Sequence, residues 1–131
     1  MKVNHAPVKQ LLIVEDDGVL RAALVEKFVH EGFKVIEAED GMKGLTKAKK
    51  YHPDLILLDI LLPKMDGIAM MKKVRKDPWG KKVPIILLTN LNLDDERMRD
   101  IVEHEPAFYL VKSEWRLEDI AKKVKERLEM H

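Results

Sequence analysis

Short apolar runs alternate along this chain with longer stretches of helical periodicity. Four of the runs are apolar almost throughout and stand at residues 10–14, 55–58, 83–88 and 107–111. A fifth segment, Phe33–Ala38, alternates apolar and polar residues as a half-buried or edge strand does. Continuous apolar runs of this length are typical of parallel strands that are buried on both faces. The pattern therefore predicts five strands.

Apolar residues at helical spacing fill the intervals between these runs. The clearest stripes lie between Asp17 and Gly32 and in the last segment of the chain; the predicted helices cover residues 18–31, 41–51, about 67–76, 93–103 and 117–128. The helix at 93–103 has a thin apolar face, for which Met98, Ile101 and Val102 are predicted to point inward. Five strands alternating with five helices predict an α/β fold, a doubly wound five-stranded parallel sheet with helices on both faces.

Composition narrows the class of protein further. The 131 residues are 46% hydrophobic and 36% charged, which suits one globular domain over residues 1–131 with a core at about 9–129. The chain has no cysteine, so disulfides, thiolate nucleophiles and cysteine-based zinc sites are excluded. The formal net charge of +1 gives no general reason to expect direct binding to nucleic acid or to a membrane. Without an apolar run of membrane-spanning length, a cytoplasmic location is expected by default.

Polar residues stand where four of the predicted strands end. The first strand ends in Glu15-Asp16, the third in Asp59, the fourth in Thr89 and the fifth in Lys112. Taken alone, Asp59 could equally cap the turn that follows it. Core packing explains the apolar runs, however, and not a polar group at four strand ends. Because the carboxyl ends of parallel strands share one edge of the sheet, we expect these side chains to converge.

The charges of the converging residues suggest a chemistry. Three carboxylates in one pocket repel, so either a pKa rises or a cation neutralises them. Oxygen ligands without histidine or cysteine favour a hard ion, most plausibly Mg²⁺. Lys112 would supply a second positive charge and Thr89 a hydroxyl donor. A carboxylate in such a pocket can itself be the nucleophile, so Asp59 is a candidate for forming an aspartyl-phosphate.

Four segments in this order closely resemble the receiver domain of two-component response regulators. They are Leu11-Leu12-Ile13-Val14-Glu15-Asp16-Asp17, the stretch from Leu57 to Gly67 (LLDILLPKMDG), Ile86-Leu87-Leu88-Thr89 and Tyr109-Leu110-Val111-Lys112. Each segment alone would be a weak match. Together they cover about residues 9–129 at the expected spacing.

The resemblance implies a flavodoxin-like sheet of strand order 2-1-3-4-5. It also implies that Asp59 accepts a phosphoryl group from a sensor histidine kinase or a histidine phosphotransfer protein. Mg²⁺ would be ligated by Asp16, Asp59 and the backbone carbonyl of Leu61, with Glu15 acting mainly through water. Thr89 and Lys112 would bind the phosphoryl oxygens, and Tyr109 would change rotamer with Thr89 as the domain switches. Such a domain is a phosphoacceptor that assists its own phosphorylation and slow dephosphorylation, and is not otherwise an enzyme.

The same resemblance implies an output surface made of the fourth helix, fifth strand and fifth helix, which would bind a downstream protein or form a homodimer. Three positions depart from the family's usual pattern: Ser113 follows Lys112 where proline is common, Asn90 stands where a small residue is usual, and the turn at 104–107 lacks glycine. These departures keep open an alternative, a degenerate receiver that works as a phosphorylation-independent docking module. Leu61 and Leu91 are both apolar and cannot orient a hydrolytic water, so slow loss of the phosphoryl group is predicted.

Two other classes fit the sequence less well. A hydrolase with an aspartyl nucleophile would need an acid two residues after Asp59, where Leu61 stands. A flavodoxin-like cofactor binder would need a loop rich in free backbone N–H groups after the first strand, where Glu15-Asp16-Asp17 would repel phosphate. Asp17 is interpreted as a helix N-cap and Asp66-Gly67 as a turn, in preference to metal ligands. The lysines of the second and fifth helices are interpreted as solvated surface.

Overall fold

The computed structural model describes residues 7–89, 94–104 and 108–129. In these residues, strands and α-helices alternate in the predicted order: β1 Gln10–Val14, α1 Gly18–His30, β2 Lys34–Ala38, α2 Gly41–Tyr51, β3 Leu55–Asp59, α3 Gly67–Lys76, β4 Ile85–Thr89, α4 Asp95–Glu103, β5 Phe108–Val111 and α5 Leu117–Arg127. Two short 3₁₀ turns lie at Trp79–Lys81 and Lys112–Glu114. No helix within the described ranges has the length and hydropathy needed to cross a membrane.

The five strands form one parallel sheet of order β2-β1-β3-β4-β5, which confirms the predicted topology. β3 lies at its centre, and all five of its residues are buried. Val14, the last residue of β1, pairs with Leu58 of β3. The residue after each of these, Glu15 and Asp59, therefore emerges side by side at the carboxyl edge. This register, and not the length of the strands, positions the two acids together.

Alternate residues of the central strands feed two cores, one on each face of the sheet. On one face, Leu12 and Val14 pack with residues of α2, α3 and α4, including Ala48, Met70 and Ile101. On the other face, Leu11 and Ile13 pack with residues of α1 and α5, including Leu24, Phe28, Ile120 and Val124. Burial on both faces explains why β1, β3 and β4 are apolar except at one end residue each, Gln10, Asp59 and Thr89.

Aspartates begin the first three helices. Asp17 accepts hydrogen bonds from the amides of Val19 and Leu20, at 3.0 and 3.2 Å. Asp40 and Asp66 cap α2 and α3 in the same way. The interpretation of Asp17 as an N-cap is therefore confirmed. Each cap satisfies backbone donors that the helix itself cannot use, which typically stabilises a helix by ~1 kcal/mol.

α4 departs from its predicted packing. Ile101 is buried as expected, but Met98 is 37% exposed, so the prediction that it points inward is wrong. The side chain of Val102 is outside the described part of the chain. Polar contacts with α3 supplement the single buried aliphatic: Lys72 lies 3.1 Å from Asp100, and the Arg75 guanidinium donates to the His104 carbonyl at 2.8 Å. Since these contacts hold one side of α4, it does not need a full apolar stripe.

Two lysines that were interpreted as solvated also make specific contacts. Lys125 of α5 lies 2.6 Å from Glu31 at the end of α1. Lys47 of α2 donates to the carbonyl of Glu37 in β2 at 2.5 Å. The first contact joins helices that are 94 positions apart, and the second joins α2 to the strand before it. Helical periodicity alone reveals neither, because it does not show how a helix packs on another element.

Candidate functional site

Three carboxylates meet at the carboxyl edge of the sheet. Glu15 and Asp16 follow β1, and Asp59 ends β3. One ligand oxygen from each lies within 4.8 Å of the others. Glu15 and Asp59 are buried, at 1% and 5% exposed, whereas Asp16 is open to solvent. The cluster is therefore a cleft with a buried floor and one exposed acid at its mouth.

Lys112 joins the two buried acids. It follows β5, two strands away from β3, and reaches back across the end of β4. Its ammonium donates to Asp59 Oδ2 at 2.9 Å and to Glu15 Oε1 at 2.5 Å. The Lys112 side chain is 16% exposed. A single cation thus serves as the shared partner of two carboxylates that are almost inaccessible to water.

The electrostatics of this group follow from burial and charge count. Burial raises the pKa of Glu15, Asp59 raises it further, and Lys112 only partly opposes them, so the pKa of Glu15 lies above its ordinary value. Burial lowers the pKa of Lys112, but hydrogen bonds to Glu15 and Asp59 outweigh burial and raise it overall. One ammonium facing three acids leaves excess negative charge. A site with this charge and only carboxylate donors fits a hard divalent cation such as Mg²⁺.

Thr89 lies on β4, the strand between Asp59 and Lys112, and Tyr109 lies on β5, the strand that leads into Lys112. Thr89 is the last residue of β4, completely buried, and pairs with Val111, the residue before Lys112. Leu88, the residue before Thr89, pairs with Asp59 of β3. Thr89 therefore lies one residue further toward the carboxyl edge of the sheet than Asp59 does. Tyr109 is partly buried against the core on the α2–α3 face. Burial, together with the charge of Glu114, raises the pKa of Tyr109.

Backbone contacts hold the loop after β3 in place. The amide of Leu61 donates to Asp59 Oδ1 at 3.3 Å, while the Leu61 side chain is 53% exposed. Gly67 packs directly beneath this turn, because a Cβ there would lie 2.1 Å from the Asp59 carbonyl oxygen. The Gly67 amide also donates to the Ile60 carbonyl at 2.8 Å. The sequence predicted a turn at Asp66-Gly67; the structure adds that Asp66 caps α3 and that Gly67 is needed for close approach.

Arg21 is a residue of the site that sequence reasoning missed. From α1 its guanidinium donates to the Glu15 carbonyl at 2.9 Å and pairs with Glu37 at 3.0 Å. It therefore anchors the backbone that carries Glu15 and Asp16. Nothing in the local sequence distinguishes this arginine from an ordinary solvated residue on a helix.

One of the three departures from the family's usual pattern, Ser113 after Lys112, lies in the described residues. The Lys112–Ser113 peptide bond is trans, as are all peptide bonds in the described residues. Asn90 and Leu91 fall outside the described residues, as do residues 105–107 of the turn before β5.

With this geometry in hand, comparison with known proteins identifies the family. The model of the response regulator receiver domain matches residues 11–125, nearly the whole chain. This chain belongs to the response regulator receiver domain family. The receiver domain is 38% identical over 100 residues to the transcriptional activator protein PfeR of Pseudomonas aeruginosa. That match covers 73% of this chain and 32% of PfeR, so the receiver spans about a third of its relative's length.

Solved structures share the receiver's fold over nearly their whole length. The chemotaxis protein CheY4 of Vibrio cholerae has a TM-score of 0.83 and 28% identity, covering 92% of this chain and 98% of CheY4. The receiver domain of a sensor histidine kinase from Pseudomonas aeruginosa has a TM-score of 0.80 and 26% identity, covering 92% and 97% of the two chains. In that relative, a magnesium ion is coordinated in the active-site cleft.

Proposed function

We propose that this receiver domain accepts a phosphoryl group on Asp59. The observation that carries the proposal is the environment of the Asp59 carboxylate. It ends the central strand, contacts the Lys112 ammonium at 2.9 Å, and lies within 4.8 Å of oxygens from Glu15 and Asp16. A carboxylate held among cationic and hydrogen-bonding groups can attack phosphorus and form an acyl phosphate.

Mg²⁺ is the proposed cofactor. Asp16, Asp59 and the Leu61 carbonyl would hold it directly, and Glu15 would do so through water. The carboxylate donor set fits this ion, and receiver domains of the family bind Mg²⁺ in their active site. When bound, the ion offsets the excess negative charge of the cleft and favours the approach of an anionic phosphoryl group. Asp16 is the exposed acid of the three.

The transfer itself would use groups already in the cleft. An Asp59 oxygen forms the new O–P bond while the N–P bond of a phosphohistidine breaks, and the leaving imidazole takes up a proton. Lys112, which now donates to the carboxylate, would donate to a phosphoryl oxygen, and Thr89 would do the same from the end of β4. The donor would be a sensor histidine kinase or a histidine phosphotransfer protein.

Switching would follow from these new bonds. As Thr89 turns toward the phosphoryl group, Tyr109 on the neighbouring strand would take up a new rotamer. The change would pass to α4, β5 and α5, the proposed surface for a downstream protein or a second copy of the chain. α4 suits this role because its described part has one fully buried aliphatic, Ile101.

Labelling with acetyl phosphate in Mg²⁺ tests the acceptor directly. Intact-mass measurement should show one phosphoryl group on the wild type, none on Asp59→Asn, and none on the wild type in EDTA. Asp54→Asn is the matched control, because Asp54 stands at the other end of the same chain segment and binds the Gln10 amide at 2.7 Å. Undiminished labelling of Asp59→Asn would reject Asp59 as the acceptor.

Beryllofluoride with Mg²⁺ tests the switch separately from the chemistry. Trp115 follows Lys112 by three residues, and its amide donates to the Lys112 carbonyl at 3.4 Å, so its indole is a reporter on the segment that carries the lysine. In a Trp79→Phe background, the fluorescence of Trp115 should change on adding beryllofluoride. An unchanged spectrum would support the docking-module alternative, which no present observation favours.

A further inference from the structure

The charge of this chain is divided unevenly. Residues 41–93 hold eleven lysines and arginines against four acids, a net charge of +7. The remaining residues hold thirteen lysines and arginines against nineteen acids, a net charge of −6. The near-neutral total therefore conceals two strongly charged parts. Asymmetry of this size points to a binding surface for a partner of opposite charge.

Six lysines of the positive part gather at the edge of the sheet opposite Asp59. They lie in the last turns of α2 and α3 and in the 3₁₀ turn and loop before β4; we call them the amino-edge basic surface: Lys49, Lys50, Lys73, Lys76, Lys81 and Lys82. Those segments lead into the starts of β3 and β4, which places them at the amino edge. The rings of His52 and Trp79 stack with centroids 4.6 Å apart, which joins the end of α2 to the 3₁₀ turn.

These lysines are not neutralised by the described part of the chain. All six are exposed, and none makes an ion pair with an acid among the described residues. The nearby acids accept hydrogen bonds from backbone amides instead: Asp54 accepts from the Gln10 amide at 2.7 Å, and Asp77 accepts from the Trp79 amide at 3.2 Å. Lysines in the last turn of a helix complement its dipole. That explanation covers α2 and α3 but not Lys82, which follows the 3₁₀ turn.

We propose that the amino-edge basic surface binds an acidic segment of a partner protein. The surface offers lysines only, because the one arginine nearby, Arg75, is occupied by the carbonyls of Gly80, Val83 and His104. Lysine ammonium groups attract carboxylates as point charges and lack the bidentate fork that favours phosphate. A long polyanion such as DNA would extend past the surface and meet the part of the chain with net charge −6. A short acidic segment avoids that repulsion.

A defined probe tests the proposal. Fluorescence anisotropy would measure binding of a labelled octaglutamate peptide to the intact chain at low ionic strength, alongside an octaserine peptide and a single-stranded oligonucleotide of eight residues. Lys81→Glu/Lys82→Glu should weaken octaglutamate binding by about tenfold or more, and Lys81→Gln/Lys82→Gln by less. The matched control is Lys122→Glu/Arg127→Glu, which changes the net charge equally on exposed positions of α5. Circular dichroism would establish that each variant is folded.

The outcomes separate the explanations. The proposal is supported if octaglutamate binding is weakened by salt, is weakened strongly by Lys81→Glu/Lys82→Glu and less by Lys81→Gln/Lys82→Gln, and is retained in the α5 control. Equal loss in both reversal variants would mean that only net charge matters and would overturn it. Tighter binding of the oligonucleotide than of octaglutamate would reassign the surface to nucleic acid. Absence of octaglutamate binding by the wild type would also overturn it. Asp59→Asn should bind the peptide normally, so this test is independent of the proposed phosphoacceptor.

Discussion

Replacing Lys112 with methionine should destabilise the fold strongly in the absence of divalent metal. Its ammonium is the shared partner of Glu15 and Asp59, which are 1% and 5% exposed. Removing one partner of a buried ion pair typically costs 3–5 kcal/mol, because the remaining charge is left uncompensated. Lys112 is itself 16% exposed and Asp16 opens the cleft to water, so the lower end applies. We expect a loss of about 3 kcal/mol at neutral pH.

The loss should depend on pH in a defined direction. Without the ammonium, nothing opposes the burial and the repulsion from Asp59 that raise the folded-state pKa of Glu15 above its unfolded value. Between the unfolded and the folded pKa of Glu15, the folded state binds more protons than the unfolded state, so its stability falls as pH rises over that interval. The deficit of Lys112→Met should therefore be small near pH ~4 and largest at neutral and alkaline pH. In the wild type, the raised pKa of Lys112 means that its stabilisation is lost only as pH rises above the ordinary lysine range.

Urea unfolding followed by circular dichroism, in EDTA and over this pH series, would measure the effect. Lys122→Met on the exposed face of α5 is the control and should change the free energy of unfolding by no more than about 0.5 kcal/mol. In a Glu15→Gln/Asp59→Asn background, Lys112→Met should cost far less, since no buried charge is left unpaired. A cost below about 1 kcal/mol at neutral pH, the range of surface ion pairs, would refute the reasoning. So would an equal cost in both backgrounds.

Three further predictions concern other parts of the molecule. Gly67→Ala would place a Cβ 2.1 Å from the carbonyl oxygen of the last β3 residue, so it should lower the free energy of unfolding in urea by about 3 kcal/mol. The control is Gly18→Ala, whose Cβ would have nothing within 4 Å and which should change that free energy by no more than about 0.5 kcal/mol. Hydrogen bonds from Lys125 and, to a smaller extent, Lys27 hold the pKa of Glu31 below its ordinary value, so the stabilisation from these bonds is lost as pH falls through that lower pKa. Lys125→Met should therefore raise the pKa of Glu31, which an NMR titration would measure. A titration curve that does not shift would contradict the pairing. Leu61→Gln should shorten the lifetime of the phosphorylated protein in a decay assay by orienting water; an unchanged decay would remove the exposed leucine as the cause of slow hydrolysis.

The sequence alone determined the fold class and the set of converging strand ends. Apolar runs and helical stripes are local properties, set by residues two to four positions apart, so they are legible without coordinates. The residue after each run can be read the same way, which is how Asp59, Thr89 and Lys112 become candidates. The aspartate cap of α1 is local as well, and its interpretation holds in the structure.

Only the tertiary structure decided which atoms touch. Lys112 and Glu15 are 97 positions apart, and their contact depends on the register of four strands in the sheet. The same is true of the Arg21 guanidinium on the Glu15 carbonyl and of the close approach of Gly67 to Asp59. The amino-edge basic surface likewise depends on tertiary packing, since His52 at the end of α2 stacks on Trp79 of the 3₁₀ turn after α3. Such contacts depend on how distant segments pack, and side-chain periodicity carries no information about that distance.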